Sequence, residues 1–228
     1  MLYVIFGVFA LLSWMVSSRL KSKFEKYSRV SINMSGAQIA EKMLRDNGIY
    51  DVQIRRVQGN LTDFYDPTNK TVNLSEGVYD SYSVAAAAVA AHETGHAIQH
   101  AEAYSFLELR TMLVPLQNAS ARILNIVFIA MFVGSLLLPT VLPYGLALLI
   151  IIGAYTVFTI FSVVTLPVEI NASQRAVNWL TNTGIVAGST RDNAIDALKW
   201  AAYTYVVAAL SSIATLVYYI LSYVNSRD

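Results

Sequence analysis

The sequence predicts a mainly α-helical membrane protein with four transmembrane helices and a small α+β domain. Of its 228 residues, 55% are hydrophobic and only 14% are charged, which is too apolar for an ordinary soluble domain. The apolar residues are also clustered, because residues 2–16, 123–166 and 201–224 contain no charged side chain. The polar remainder holds all three histidines, spaced four residues apart in the stretch HETGHAIQH.

The uncharged runs give the positions of the expected spans. A helix needs about 20 predominantly apolar residues to cross a bilayer, and the run 123–166 is long enough for two. Pro139, Pro143 and Gly145 near its centre predict a tight turn between them. The first span is expected to be a retained anchor, because no positive segment precedes it and SSRLKSK follows it. The expected spans are about 1–18, 122–140, 144–166 and 201–224.

The basic residues predict the orientation of these spans. Five Lys and Arg residues directly follow the first span, and others lie in segments 19–121 and 167–200, whereas the turn in the long apolar run has none. By the positive-inside bias, both segments face the cytoplasm and both termini face outward. The chain has no cysteine, which excludes disulfides and thiolate chemistry.

Segment 19–121 predicts a helix, a small sheet and a second helix. Ser35 and Gly48 have the character of the start and stop signals of a short helix. The stretches DVQIRRVQG, NLTDFYD and TVNL carry β-formers around the turn DPTNK, which indicates two or three strands. Ser81 or Ser83 can cap a helix through VAAAAVAAHETGHAIQHAEAY, whose first half is rich in Ala. The sequence has no phosphate loop and no basic–aromatic interleaving, so no nucleic-acid partner is expected.

The second predicted helix carries the pattern His92-Glu93-x-x-His96. Residues four apart lie one above the other on a helix face, so both imidazoles can reach one ion. Glu93 lies about 100° around the helix from His92. At that position it can hold a metal-bound water and does not bind the metal itself. At this chain's own His and Glu frequencies the pattern arises by chance about once in a thousand such chains. The pattern therefore predicts a metal site, with Glu93 placed to hold a metal-bound water.

His100 lies on the same predicted helix face, but it is not expected to bind the ion. It is separated from His92 by about 12 Å of helix rise, whereas zinc–nitrogen bonds are about 2 Å long. The helix is expected to continue through AIQHAEA without a glycine that would turn the chain back. We therefore expect His100 to be a surface residue or to support a ligand.

A third ligand is expected from outside this helix. Glu169 follows the third span, where Pro167 can open a helix, and an even number of spans places it on the same membrane side as the histidines. Glu102 and Glu108 remain alternatives as ligands. The alternative role of Glu169 is a carboxylate that only complements a helix dipole.

Four blocks of the sequence resemble a known family. LTDFYDPTNKTVNLSEGVYD, AAHETGHAIQHA, LPVEINASQRA and ALKWAAYTYVVAAL are similar, in order and spacing, to the YugP-type family of putative neutral zinc metallopeptidases, over most of the chain. The His-Glu-x-x-His pattern with a later Glu-x-x-Ala more distantly resembles the HtpX-type and CAAX-processing membrane proteases. The resemblance implies a zincin-like domain in a bacterial plasma membrane, with Glu93 as the general base and Zn²⁺ as cofactor. The implied zinc ligands are His92, His96 and Glu169.

Two positions depart from the patterns that carry this resemblance. The HtpX-type block usually continues with an Asp that orients a ligand histidine, and here that position is Ser173. Members of the YugP-type family often carry His where this chain has Phe64. The group that orients the histidine therefore has to be identified.

The expected function is that of an integral-membrane zinc endopeptidase acting on a peptide or protein substrate at the lipid bilayer. Arg175, Tyr65 and Tyr79 are candidates for stabilising the oxyanion, and a strand edge at 61–65 or 71–74 is expected to pair with an extended peptide. The alternative is a non-catalytic zinc-binding scaffold or sensor, which would not need Glu93. A transporter is disfavoured, because the expected spans carry almost no ionisable residues.

The expected domain organisation follows the spans. It comprises transmembrane helix 1 at 1–18, the metallopeptidase domain at 19–121, transmembrane helices 2 and 3 at 122–166, a helical segment with the third ligand at 167–200, and transmembrane helix 4 at 201–228.

Overall fold

The computed structural model describes residues 2–137 and 143–226, and it is mainly helical. In chain order its elements are α1 (Leu2–Ser28), α2 (Gly36–Asp46), β1 (Gln53–Val57), β2 (Phe64–Asp66), β3 (Thr71–Ser75), α3 (Glu76–Tyr79), α4 (Val84–Ala101), α5 (Ser105–Leu137), α6 (Tyr144–Asn182) and α7 (Ser189–Asn225).

Four helices in the described part of the chain are long and apolar enough to cross a membrane. They are Leu2–Ser28, Ser105–Val133, Tyr144–Asn182 and Ser189–Asn225. The prediction of four membrane-length helices is therefore confirmed, and each helix extends past its apolar run into polar sequence. Pro139 of the predicted turn lies outside the described residues, whereas Pro143 directly precedes α6 and its carbonyl accepts a hydrogen bond from the Ala147 N–H at 3.0 Å.

Pro167 does not open a new helix, and this prediction is wrong. The residue lies inside α6, which is continuous from Tyr144 to Asn182. A proline in a helix interior removes one N–H donor, but long apolar helices tolerate it where neighbouring groups satisfy the freed carbonyl. Glu169 therefore lies in the interior of α6. Its alternative role, complementing the dipole at a helix N-terminus, does not apply.

The chain forms two compact units. One contains residues 1–13, 109–165 and 205–228, and the other contains residues 14–108 and 166–204. The first unit has an apolar core that includes Leu148, Ile151 and Tyr219. The second unit contains the sheet, α2, α3, α4 and the polar ends of the long helices, and it carries every residue of the predicted site.

A three-stranded sheet lies in the second unit, with the order β1-β3-β2. The central strand β3 is parallel to β1 and antiparallel to β2, with Ile54 opposite Val72 and Tyr65 opposite the same residue on the other side. The prediction of residues 71–74 as an open edge is wrong, because β3 is paired on both sides. The other predicted edge, residues 61–65, overlaps β2, which is an edge strand of this sheet.

The predicted signals at the ends of α2 are confirmed. The Ser35 hydroxyl accepts a hydrogen bond from the Gln38 N–H at 3.3 Å, and the Gln38 side chain accepts one from the Ser35 N–H at 2.9 Å, which is a reciprocal capping box. After α2, Gly48 has a φ of 70°, a left-handed conformation that costs glycine little.

Helix α4 begins at the predicted cap but ends earlier than predicted. Ser83, rather than Ser81, caps it, because its hydroxyl accepts from the Ala86 N–H at 3.2 Å. The helix ends at Ala101, and Ala103 follows it in a left-handed conformation with a φ of 51°. The expected continuation through AIQHAEAY is therefore wrong in its last three residues, because a non-glycine residue adopts the left-handed turn there.

Candidate metal centre

Close packing of α4 against α6 brings the predicted ligands together. A Cβ atom built on Gly95 of α4 would lie 2.9 Å from the carbonyl oxygen of Ala172 and 3.2 Å from its Cα atom. Glycine in a helix interior lowers stability by about 0.5–1 kcal/mol relative to alanine. It nevertheless fits position 95, because any other residue would bring a Cβ atom into this contact. Gly95 precedes His96 directly, and Ala172 lies one helical turn after Glu169.

Two histidines and one glutamate form a compact cluster in the second unit. Glu169 Oε2 lies 3.3 Å from His92 Nε2 and 3.6 Å from His96 Nε2. One ligand atom of each residue lies within 4.8 Å of the others. The side chains are buried, with His92 only 9% exposed, His96 7% and Glu169 2%. The structure thus brings together the three side chains that the sequence predicts as metal ligands.

The donor set and its spacing fit a zinc ion. Tetrahedral zinc with bonds of about 2.0–2.2 Å places its ligand atoms about 3.4 Å apart, which is close to the 3.3 and 3.6 Å between the imidazoles and the carboxylate. Two neutral imidazoles and one carboxylate leave a net negative charge in a buried place, which favours a cation. Burial lowers the pKa of His96, but the hydrogen bond and charge of Glu169, the charge of Glu93 and the hydrogen bond to Gln99 together leave that pKa raised above its usual value.

Both imidazoles turn Nε2 toward Glu169 and Nδ1 toward a polar partner. His92 Nδ1 lies 3.1 Å from the Ser173 hydroxyl, and His96 Nδ1 lies 3.0 Å from Gln99 Oε1. Ser173 therefore contacts a histidine from the position where the related pattern carries Asp. Gln99 was not predicted, although its place three residues after His96 on one helix puts the two side chains on the same face.

Glu93 lies beside this cluster and is held by the sheet. Its Oε2 accepts a hydrogen bond from the backbone N–H of Tyr65 in β2 at 3.1 Å. The Glu93 side chain is only partly buried, unlike its two histidine neighbours. An edge strand thus fixes the carboxylate while leaving it access to solvent.

His100 is not part of the cluster. Its Nδ1 lies 2.8 Å from the Tyr65 hydroxyl. Burial, with smaller contributions from Asp51 and Asp66, raises the pKa of Tyr65 to about 12. The phenol therefore keeps its proton throughout the neutral range, and Tyr65 links β2 to both His100 and Glu93.

The alternative carboxylates lie elsewhere. Glu102 accepts a hydrogen bond from Arg175 at 2.7 Å, and Glu108 is exposed in the first turn of α5. Arg175 also donates from Nε to Asn171 Oδ1 at 2.7 Å. Tyr79 packs against the apolar core of the second unit. Oxyanion stabilisation by Arg175, Tyr65 or Tyr79 stays a prediction.

Comparisons with known proteins agree with this chemistry. The family model described as "Putative neutral zinc metallopeptidase" matches residues 2–224. "Putative membrane protease YugP" of Bacillus subtilis (strain 168) is 39% identical over 231 residues, which cover 100% of this chain and 99% of that protein. No solved structure matches the chain. The chain therefore belongs to the family of putative neutral zinc metallopeptidases.

Proposed function

We propose that this protein is an integral-membrane zinc-dependent endopeptidase with a zincin-like catalytic unit. The observation that carries the proposal is the buried cluster of His92, His96 and Glu169 with Glu93 beside it. A site for a structural zinc ion usually closes the coordination shell with four protein ligands, whereas three ligands leave a position for water. The arrangement therefore favours hydrolysis over a purely structural role.

The residues of the cluster have separate roles in this reaction. His92 Nε2, His96 Nε2 and Glu169 hold the ion, which when bound supplies Lewis acidity toward a carbonyl oxygen and lowers the pKa of a water. Glu93 accepts a proton as the water oxygen forms its bond to the carbonyl carbon of the substrate. As the C–N bond breaks, Glu93 gives that proton to the leaving amine nitrogen. The backbone N–H of Tyr65 keeps the Glu93 carboxylate oriented between these two transfers.

The substrate is proposed to be a peptide or protein segment in an extended conformation. β2 is an edge strand, and an extended chain can add to such an edge through backbone hydrogen bonds. Phe64 on this strand is 48% exposed and offers an apolar contact to a substrate side chain. The anchored position of the enzyme favours substrates that are themselves at the lipid bilayer.

A non-catalytic scaffold or sensor is the second candidate function. It would use the same three ligands and would have no need for a carboxylate at Glu93. The hydrogen bond that holds Glu93 beside the cluster favours the enzyme.

Metal removal tests the proposed activity. The protein purified in detergent is expected to cleave members of a library of unstructured peptides, because an extended segment is what an edge strand accepts. Dialysis against a chelator should abolish cleavage, and added Zn²⁺ should restore it. Mass spectrometry of the products measures the result. Cleavage that survives complete removal of the metal would contradict a zinc peptidase and point to a contaminating protease.

The catalytic unit is proposed to face the cytoplasm, with both termini outside. Ser22 in α1 and Ser226 after α7 are exposed, and the chain has no cysteine. Single cysteines at these positions can therefore be labelled with a membrane-impermeant thiol reagent without background. In intact cells, Ser226→Cys is expected to react and Ser22→Cys to react only after lysis. The reverse pattern would show the opposite orientation.

A further inference from the structure

A fully buried glutamine connects one ligand histidine of α4 to α6. Gln99 is 0% exposed, and its side chain has three polar neighbours. Oε1 lies 3.0 Å from His96 Nδ1, while Nε2 lies 2.8 Å from the carbonyl oxygen of Val168 and 2.9 Å from Asn171 Oδ1. All the polar atoms of this side chain are therefore engaged at a site that excludes water.

The direction of these hydrogen bonds is fixed at both ends. The Val168 carbonyl can only accept, and a guanidinium can only donate. Arg175 Nε lies 2.7 Å from the terminal atom of Asn171, so that atom must be the amide oxygen and not the nitrogen. Gln99 then faces two acceptors, which places its NH₂ group toward Val168 and Asn171 and its oxygen toward His96. Amide orientations are normally a matter of assignment, but here the donor-only and acceptor-only neighbours leave one choice.

The same polarity determines where His96 carries its proton. Gln99 Oε1 has no hydrogen to give, so His96 Nδ1 must donate to it. A neutral imidazole with its proton on Nε2 would place two acceptors 3.0 Å apart in a buried site, with no donor between them. Nδ1 is therefore protonated, and Nε2, which faces Glu169, is the atom whose lone pair is available for a metal. The Ser173 hydroxyl beside His92 can donate or accept, so it imposes no such restriction on the other ligand.

We propose that Arg175, Asn171 and Gln99 form a positioning relay that selects the metal-binding tautomer of His96. Arg175 is anchored in turn by Glu102, at 2.7 Å. This inference rests on the proposed metal site and assigns roles within it. Arg175 then acts through Asn171 and Gln99, and its contribution is to metal binding rather than to the oxyanion.

Zinc affinity separates this relay from a purely catalytic or purely structural role. Gln99→Met keeps the length of the side chain but loses the acceptor for His96, and it is expected to weaken zinc binding by about 10–100-fold, as is usual for groups that orient a ligand histidine. Arg175→Met should weaken it in the same direction but less, and should add nothing in the Gln99→Met background. The dissociation constant for zinc is measured by competition with a chromogenic chelator. Gln174→Met, the same change at an exposed position of α6, is the matched control and should bind zinc as the wild type does.

The outcomes distinguish the relay from the proposed function. Wild-type affinity in Gln99→Met would overturn the relay and leave the zinc peptidase intact. Wild-type affinity with reduced cleavage in Arg175→Met would return Arg175 to an oxyanion role and remove it from the relay. A wild-type protein that binds no zinc at all would defeat the proposed function, and the tautomer measurement below would still decide the relay.

The tautomer can be observed directly without a variant in the relay. The chain has three histidines, so nitrogen-15 labelling of histidine gives a simple NMR spectrum, which His92→Asn and His100→Asn assign. In metal-free protein in mildly alkaline buffer, His96 is expected to show a protonated Nδ1. A proton on Nε2 instead would overturn the relay, whether or not Gln99→Met folds.

Discussion

Replacing Glu93 by glutamine is expected to lower the rate of peptide cleavage by about 10²–10⁴-fold, which is the usual contribution of general acid–base catalysis. Glutamine has the same size, and its amide oxygen can still accept the hydrogen bond from the Tyr65 N–H. It cannot take a proton from water at neutral pH. The ligands His92, His96 and Glu169 are untouched, so zinc content and thermal stability should remain those of the wild type.

A matched variant controls for the substitution itself. Glu41→Gln makes the same chemical change on the exposed face of α2, where the side chain pairs with Arg45 on the surface, and it should leave cleavage unchanged. Turnover of a cleaved peptide and bound zinc are measured on the same preparations. Equal cleavage by wild type and Glu93→Gln would remove Glu93 as the base. Full zinc content with no cleavage of any substrate by either protein would favour the scaffold or sensor.

The sequence predicts the elements of the fold where the signals are local. Uncharged runs of about 20 residues predict four membrane-length helices because a bilayer imposes a minimum length. Ser35 and Gly48 predict the ends of α2, because capping depends on a few neighbouring backbone groups. The strands of the sheet follow from β-formers around a turn. In the same way, the four-residue spacing of His92 and His96 places both side chains on one face of α4.

The predictions that failed depend on tertiary context. Proline at position 167 is compatible with the start of a helix and also with the interior of a long apolar helix. Which of the two forms depends on the groups packed around α6. The order of strands is a non-local property, so β3 could not be distinguished from an edge. Ala103 adopts a left-handed conformation for which the sequence offers no glycine. In each case the local sequence permits two conformations.

Contacts between α4 and α6 also could not be predicted from local sequence signals. The predicted parity of membrane spans puts Glu169 on the same membrane side as the histidines, but it gives no distance. The close approach of Gly95 to Ala172 explains how the carboxylate reaches the histidines. Gln99 lies three residues after His96, a spacing that many helical residues share by chance. Its significance depends on Val168 and Asn171, which are far away in sequence.

Removal of any one ligand is expected to abolish tight, stoichiometric zinc binding. His92→Ala, His96→Ala and Glu169→Ala each leave two protein ligands, and two ligands do not hold zinc in a site of this type. Loss of Glu169 also removes the negative charge that compensates the ion in a buried place. Bound zinc is measured by elemental analysis after gel filtration in a buffer that contains a weak chelator.

The variants of Glu169 need a second form, because a cavity in a buried site can unfold the protein. Glu169→Gln preserves the volume and removes only the charge and one strong ligand oxygen, so it should fold and still lose tight zinc. His100→Ala is the matched control for the histidine variants, since His100 contacts Tyr65 and lies outside the cluster; it should keep its zinc. Full zinc occupancy in both Glu169 variants would reject this ligand. Loss of zinc in Glu102→Ala but not in the Glu169 variants would assign the third position to the end of α4. A carboxylate 3.3 Å from one imidazole and 3.6 Å from the other leads us to expect that Glu169 decides whether the ion is held.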